Sequence, residues 1–311
     1  MSNKYQNLLT IIKNALFCYL LKKILIIGGS GFVGTNLIKY LPMDWKKFCT
    51  FNSNPISSSK FKSFKINFLD NFEEILSVVQ NIQPNYIVHT VAFPSVDYCE
   101  EVPSVAEKLH VDATKIISKI SSEINSKLLF LSTDAVFEGQ LNKKYVETDI
   151  PNPVNYYGLT KLKAEKIVLD SSDKNVVLRT AVIYGTSSKS RFTNWIISYL
   201  NQHKQVDPFI DQFNSPTLVD DLSTVITKIL RDDISGLFHA TGPTCVNRYD
   251  FALMLAKEFG LDRNLIKPVT SSEKKQFARR PISTCLDSSK LEQKLNFKFR
   301  DLKTGISFIA S

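Results

Sequence analysis

Tyr157 and Lys161 stand four residues apart in Tyr157-Gly158-Leu159-Thr160-Lys161, downstream of Ser132-Thr133-Asp134. On a helix opening near Tyr157 that spacing puts both side chains on one face. A tyrosine hydroxyl can hand a proton to a carbonyl oxygen that gains negative charge as its ketone is reduced. Its reference pKa near 10 is high for exchange at pH 7, and a lysine one turn away stabilises the phenolate. Thr133 can donate a second hydrogen bond to the same oxygen. Tyr156 is the adjacent alternative, but Lys161 lies five positions from it, off the shared face. Tyr-x-x-x-Lys occurs by chance on exposed helices, so the argument rests on three motifs in chain order. The first of these is the glycine-rich turn Gly28-Gly29-Ser30-Gly31-Phe32-Val33-Gly34. Together they are the parts of a nicotinamide-dependent carbonyl reductase.

The elements that must position these residues are legible upstream. Lys23-Ile24-Leu25-Ile26-Ile27 is a short apolar run suited to a buried parallel strand, and the turn after it leads into a helix. Gly28 permits the tight turn, Gly31 lets backbone N–H groups approach a pyrophosphate, and Gly34 allows close helix packing. Ser30, Phe32 and Val33 complete the expected cofactor-binding turn. About 20 residues on, NAD-specific folds place a carboxylate on the adenosine ribose. Here the stretch Phe48-Cys49-Thr50-Phe51-Asn52-Ser53-Asn54 has none. A 2′-phosphate is therefore not repelled, and Asn52, Ser53 and Asn54 can donate to it, with Lys60 or Lys62 nearby. NADP(H) is the expected cofactor, with NAD open.

Residues 64–68 read as a third strand ending near Asn67, with Asp70 capping a helix over 71–82. A fourth strand over 86–92 brings Ala92 beside the cofactor. Helix 103–123 and strand 127–131 then deliver Ser132 and Thr133 to the same edge. The alternation implies an α/β fold: a doubly wound parallel Rossmann sheet with ligands at the carboxyl ends of its strands.

With these motifs the chain resembles the extended short-chain dehydrogenase/reductases, and within them the dTDP-4-dehydrorhamnose reductase-like group, over nearly all of residues 22–311. The likeness also rests on Val96-Asp97-Tyr98-Cys99-Glu100, Leu131-Ser132-Thr133-Asp134-Ala135-Val136-Phe137-Glu138-Gly139, Leu178-Arg179-Thr180, Asp211-Gln212-Phe213-Asn214-Ser215-Pro216-Thr217 and Arg279-Arg280-Pro281. The resemblance implies a catalytic triad of Thr133, Tyr157 and Lys161, and a sugar-nucleotide pocket framed by Val96, Asp97, Pro216 and Arg280. Arg279 or Arg280 would contact the diphosphate. Family dehydratases carry Thr-Asp-Glu where this chain has Thr133-Asp134-Ala135, so a reductase is expected, with an epimerase harder to exclude. One branch of the same group resembles the regulatory β subunit of methionine adenosyltransferase, an NADP-binding partner protein, and the motifs fit that branch too. His110 stands where the family has Asn: either it substitutes by hydrogen-bonding the backbone near the active site or, the preferred reading, it is a partly buried helix histidine without a catalytic part. Asn214 replaces a glycine, and Asn tolerates left-handed angles.

The chain has 311 residues, 43% of them hydrophobic, enough for a large core and a smaller lobe. The expected Rossmann domain covers 22–184 and 217–241, and the substrate-binding lobe 185–216 and 242–311. Trp195 either stacks on a base or sugar or belongs to the core. The net charge of +9 is dispersed over 39 basic and 30 acidic residues, which suits phosphorylated ligands and shows no nucleic-acid stripe. The five cysteines have no spacing for zinc or a redox motif, no metal is expected, and a reducing cytoplasmic setting follows. A homodimer is compatible. Residues 1–21 lie outside the family pattern. Over 5–21 an apolar run is interrupted by Lys13 and Asn14 and is too short to span a bilayer. It reads as an extra packing helix, a translated upstream extension or a weak membrane-surface anchor.

Overall fold

Ile24, Leu25, Ile26 and Ile27 are fully buried in β1 (Lys23–Ile27), because a strand covered by helices on both faces has no solvent side. The computed structural model describes residues 21–56 and 58–311. From β1 the chain continues through α1 (Phe32–Tyr40), β2 (Lys46–Phe51), β3 (Lys62–Lys65), α2 (Glu73–Ile82) and β4 (Tyr86–His89). Next come α3 (Val96–Glu101), α4 (Pro103–Glu107), α5 (Ala113–Glu123), β5 (Lys127–Thr133), α6 (Tyr156–Ser171) and β6 (Val176–Thr180). The rest comprises β7 (Ile183–Tyr184), α7 (Arg191–Asn201), β8 (Phe213–Asn214), β9 (Thr217–Leu218), α8 (Val219–Arg231), β10 (Gly236–His239), β11 (Val246–Asn247), α9 (Arg248–Glu258), α10 (Ser289–Leu295) and α11 (Leu302–Ala310).

Seven strands form one parallel sheet in the order β10-β6-β5-β4-β1-β2-β3, whose direction of winding reverses between β1 and β4. Successive β1 side chains feed opposite cores. Ile24 and Ile26 pack with α1 and α8, whereas Leu25 and Ile27 pack with α2, α5 and α6. A third core, with Tyr184, Ile196, Leu255 and Ile306, belongs to the smaller lobe built from α7, α9 and α11. His89, the last residue of β4, pairs with Phe130, so β5 runs three residues further and carries Ser132 and Thr133 past its neighbour. That register opens the crevice where α/β sheets bind ligands.

Some boundaries differ from the sequence reading. The third strand is Lys62–Lys65 rather than 64–68. Ile66 still donates to Phe51, but the Asn67 side chain then takes the Leu69 N–H and starts a turn. Asp70 does not cap α2: it accepts from Asn67, while Asn71 accepts the Glu73 N–H. The fourth strand stops at His89, although Thr90 still bonds Ile27. Cysteine pairing is a larger correction. Cys245 and Cys285, 40 residues apart, form a disulfide because the fold brings the stretch before α9 against the segment that follows Arg280. Cys49 and Cys99 are buried thiols, and Cys18 is outside the described residues. The reading of 5–21 also falls outside them, apart from Leu21. Among the described residues no helix is long and apolar enough to cross a membrane, and no cluster of His, Cys, Asp or Glu could hold a metal ion.

Candidate functional site

The turn after β1 shows why glycine is needed there. Gly28 has φ +90°, and a Cβ on it would lie 2.7 Å from Thr90 Oγ1. A Cβ on Gly34 would lie 2.5 Å from the Gly28 carbonyl oxygen, so α1 can approach the turn only without a side chain. The Gly28 N–H donates to Thr50 Oγ1 at 3.0 Å, tying the turn to β2. Beside it lies a cavity of about 290 Å³ lined by Gly28, Ser30, Gly31, Asn52, Asn67 and Ala92, together with Thr50, Thr90 and Phe93. No carboxylate lines it. Its shape, the glycines and the opening of α1 suit a dinucleotide. Phe32, Val33 and Gly34 lie instead in the first turn of α1, where Val33 is core and Phe32 packs towards Gly185. Ser53 is exposed beyond the end of β2.

At the carboxyl end of β5, Thr133 Oγ1 donates to Asp134 Oδ1 and accepts from the Ala135 N–H, both at 3.1 Å. Asn155 caps α6 by accepting the Gly158 N–H at 2.9 Å, and its amide reaches across the cleft to the Arg279 carbonyl. Glu100 of α3 accepts the Tyr156 N–H. Further along α6, Glu165 holds Arg179 of β6 through Nε and Nη2 and accepts from Ser132 of β5. These contacts fix α6 against the strand ends. Burial pushes the Tyr157 phenol well above its ordinary pKa; a hydrogen bond with Thr133 works against that shift, while Asp134 and Cys99 add to it. The phenol is therefore protonated, the state a proton donor requires. Lys161 is buried, donates to the Leu131 carbonyl at 2.7 Å and lies 3.8 Å from the Phe130 ring centre. Burial lowers it to about 7, with Glu165 opposing.

His110 is fully buried in a π-helical turn, Lys108–Asp112, rather than partly buried as expected. Its Nε2 accepts the Phe93 N–H at 2.9 Å, which leaves Nδ1 to donate to Thr160 Oγ1 at 2.8 Å. Burial and Lys161 hold it down to about 3, so it is neutral. The ring thus bonds the backbone of the segment after β4 to the helix carrying Tyr157, edge-on to that ring at 5.6 Å.

On the opposite wall, Asp97 Oδ2 pairs with Arg280 at 3.0 Å and Oδ1 accepts the Ala278 N–H. Val96 is the neighbouring residue that opens α3. Arg279 is exposed, which leaves Arg280 as the guanidinium turned to α3. Pro216 is buried, its carbonyl against Gly242. Trp195 packs against the small-lobe core, its ring edge-on to Phe192 at 5.8 Å and to Tyr199 at 6.4 Å, so the contacts it makes are core contacts. Two residues escaped the sequence reading. Asp134 is buried and accepts from Asn214 and Thr284, joining the carboxyl end of β5 to the smaller lobe. Arg248 faces Phe192 and no motif announced it.

A doubly wound sheet, a glycine-turn dinucleotide cavity and a Thr, Tyr and Lys constellation at its edge define an extended short-chain dehydrogenase/reductase. The chain belongs to the RmlD substrate binding domain family, whose profile matches residues 22–310. It is 27% identical to dTDP-4-dehydrorhamnose reductase of Aggregatibacter actinomycetemcomitans over 92% of this chain and 98% of that one. It is 33% identical to methionine adenosyltransferase 2 subunit beta of Bos taurus, covering 87% of this chain and 82% of that one. The fold matches dTDP-4-dehydrorhamnose reductase from Bacillus anthracis, solved in complex with NADP, with a TM-score of 0.83 and 24% identity over 93% of this chain and 99% of that one.

Proposed function

We propose that the protein is an NADP(H)-preferring reductase of a nucleotide-linked 4-keto-deoxysugar. The observation that carries this reading is the Tyr157 phenol beside Thr133 at the sheet edge, joined through His110 to Phe93 in the wall of a dinucleotide cavity without a carboxylate. The bound nicotinamide would supply the hydride. Gly28, Ser30 and Gly31 would hold its pyrophosphate, and Asn52 with Ser53 the 2′-phosphate; NAD remains the competing cofactor. Tyr157 gives its proton to the substrate oxygen while Thr133 orients that oxygen by a second hydrogen bond. Lys161 has two N–H donors beyond the one on Leu131, available to a ribose hydroxyl. The cleft between residues 22–184 with 217–241 and residues 185–216 with 242–311 would hold the sugar nucleotide. We place the protein in the cytoplasm, where Cys245 and Cys285 would stand as adjacent reduced thiols, with a homodimer as its assembly.

The test follows NADPH and NADH absorbance with dTDP-4-dehydro-6-deoxy-L-mannose, using wild type and Tyr157→Phe. Oxidation that collapses in the variant supports the reading. No oxidation of this sugar by a protein that binds NADP points to another keto-sugar, and no oxidation with any nucleotide-keto-sugar overturns the reading in favour of a regulatory subunit. That second reading is favoured by the 33% identity to the methionine adenosyltransferase subunit, above the 27% to the reductase.

A further inference from the structure

We infer that Arg248 joins Arg280, the guanidinium that the family resemblance already turns on the diphosphate, in a clamp for a nucleoside-diphosphate ligand, with Arg248 the residue that distinguishes phosphorylated from unphosphorylated ligands. This deepens the proposed function and rests on it for the sugar that the diphosphate carries.

Arg248 opens α9 and makes no hydrogen bond or ion pair among the described residues, so all five of its N–H donors are free. Its guanidinium carbon stands 5.3 Å from the centre of the Phe192 ring, a position that holds the fork without using a donor. The nearest carboxylate acting on it, Asp134, is already taken by Thr133, Asn214 and Thr284. Arg280 is close enough to repel it. Burial and that repulsion, with Asp134 opposing, hold Arg248 down to about 10. Two like charges within electrostatic reach of each other cost stability unless an anion takes both.

Arg280 uses one donor on Asp97 and one on the Ala278 carbonyl, which leaves three. The two arginines are held in relation to each other from both sides. The pairing of β11 with β8 sets Val246 opposite Asn214, whose amide donates to Asp134 at 2.6 Å, so Arg248 leaves the ladder beside the catalytic strand end. The Cys245–Cys285 disulfide joins the strand entering Arg248 to the segment leaving Arg280. Planar forks with several free donors match phosphate oxygens better than a single carboxylate does. In a nucleoside-diphosphate sugar the diphosphate adjoins the sugar, which is where a clamp beside Thr133 and Asp134 would lie.

The experiment measures binding of dTDP, thymidine and inorganic pyrophosphate by calorimetry to wild type, Arg248→Met and Arg248→Lys, with NADPH affinity as the control for folding. The expected result is a loss of dTDP and pyrophosphate affinity of about 10- to 100-fold in Arg248→Met, part recovery in Arg248→Lys, and unchanged thymidine and NADPH binding. Wild-type dTDP affinity in Arg248→Met overturns the clamp, and so does an equal loss for thymidine, which would make Arg248 a packing residue. If Arg248→Met does not fold, Arg248→Lys against wild type decides by the same comparison. Phosphate-dependent binding through Arg248, in a wild type that oxidises NADPH with no keto-sugar, keeps the clamp and removes the reductase reading.

Discussion

Gly158 lies against the carbonyl of Ala135: a Cβ on Gly158 would stand 2.1 Å from the Ala135 oxygen. That oxygen belongs to backbone, which cannot swing aside as a flexible side chain can. The third residue of α6 therefore sets how closely Tyr157 approaches Thr133.

Gly158→Ala is expected to push the start of α6 from the strand end and reduce turnover at least as much as loss of one hydrogen-bonding group, about 10-fold or more, although alanine favours helix by roughly 1 kcal/mol. Turnover measured beside NADPH affinity tests this. Wild-type turnover would mean that the approach is not limiting.

Tyr157→Phe removes the only proton the phenol can give and is expected to lower kcat by about 10²- to 10⁴-fold. Thr133→Val keeps the shape, and its smaller loss should appear in kcat more than in KM, because the oxygen it orients gains charge only during reaction. Steady-state kinetics on the two variants separate the roles.

Glu165 and Arg179 are a buried pair, each side chain about 3% exposed, and Arg179 Nη1 has no hydrogen-bond partner among the described residues. Removing one charge leaves the other buried, so Arg179→Met should cost roughly 3–5 kcal/mol in urea unfolding. Glu165→Leu with Arg179→Met should recover much of that loss. A single variant as stable as wild type would show that the pair is not held as described.

Burial keeps His89, His110 and His239 neutral, the latter two at about 3 against an ordinary value near 6.5. The unfolded chain takes up protons that the folded chain refuses, so stability is complete above about pH 6.5 and falls as pH drops towards 3. Each histidine contributes up to about 1.4 kcal/mol per pH unit in that window. Urea midpoints at pH 7, 6 and 5 should decline, and His110→Asn should make the decline shallower. An identical slope in the variant would remove His110 from the account.

The Cys245–Cys285 bond closes a loop of 40 residues, and its loss is expected to cost roughly 4 kcal/mol in the chain-entropy account. Cys245→Ser should melt below wild type without reductant and match it in excess dithiol. Equal melting without reductant would mean that the two thiols are unpaired in solution.

Local pattern alone determined the Rossmann half. β1 reads as buried because all its positions are apolar, the turn reads as a phosphate cradle because its glycines have strict spacing, and Tyr157 with Lys161 follows from helical periodicity. Each of these signals spans a few neighbouring residues, and so does the backbone geometry it encodes. Strand ends were less legible, since Asn67 and Thr90 settle them through side-chain bonds that compete with the ladder.

Only the tertiary structure decided which distant residues meet. His110 bonds Phe93 and Thr160, Asp134 bonds Asn214 and Thr284, and Cys245 meets Cys285. Such pairs are separated by 17 to 150 positions. Their proximity comes from the register of β5 past β4 and the docking of the small lobe, which arise from the packing of the whole core and leave no periodic mark on any one segment.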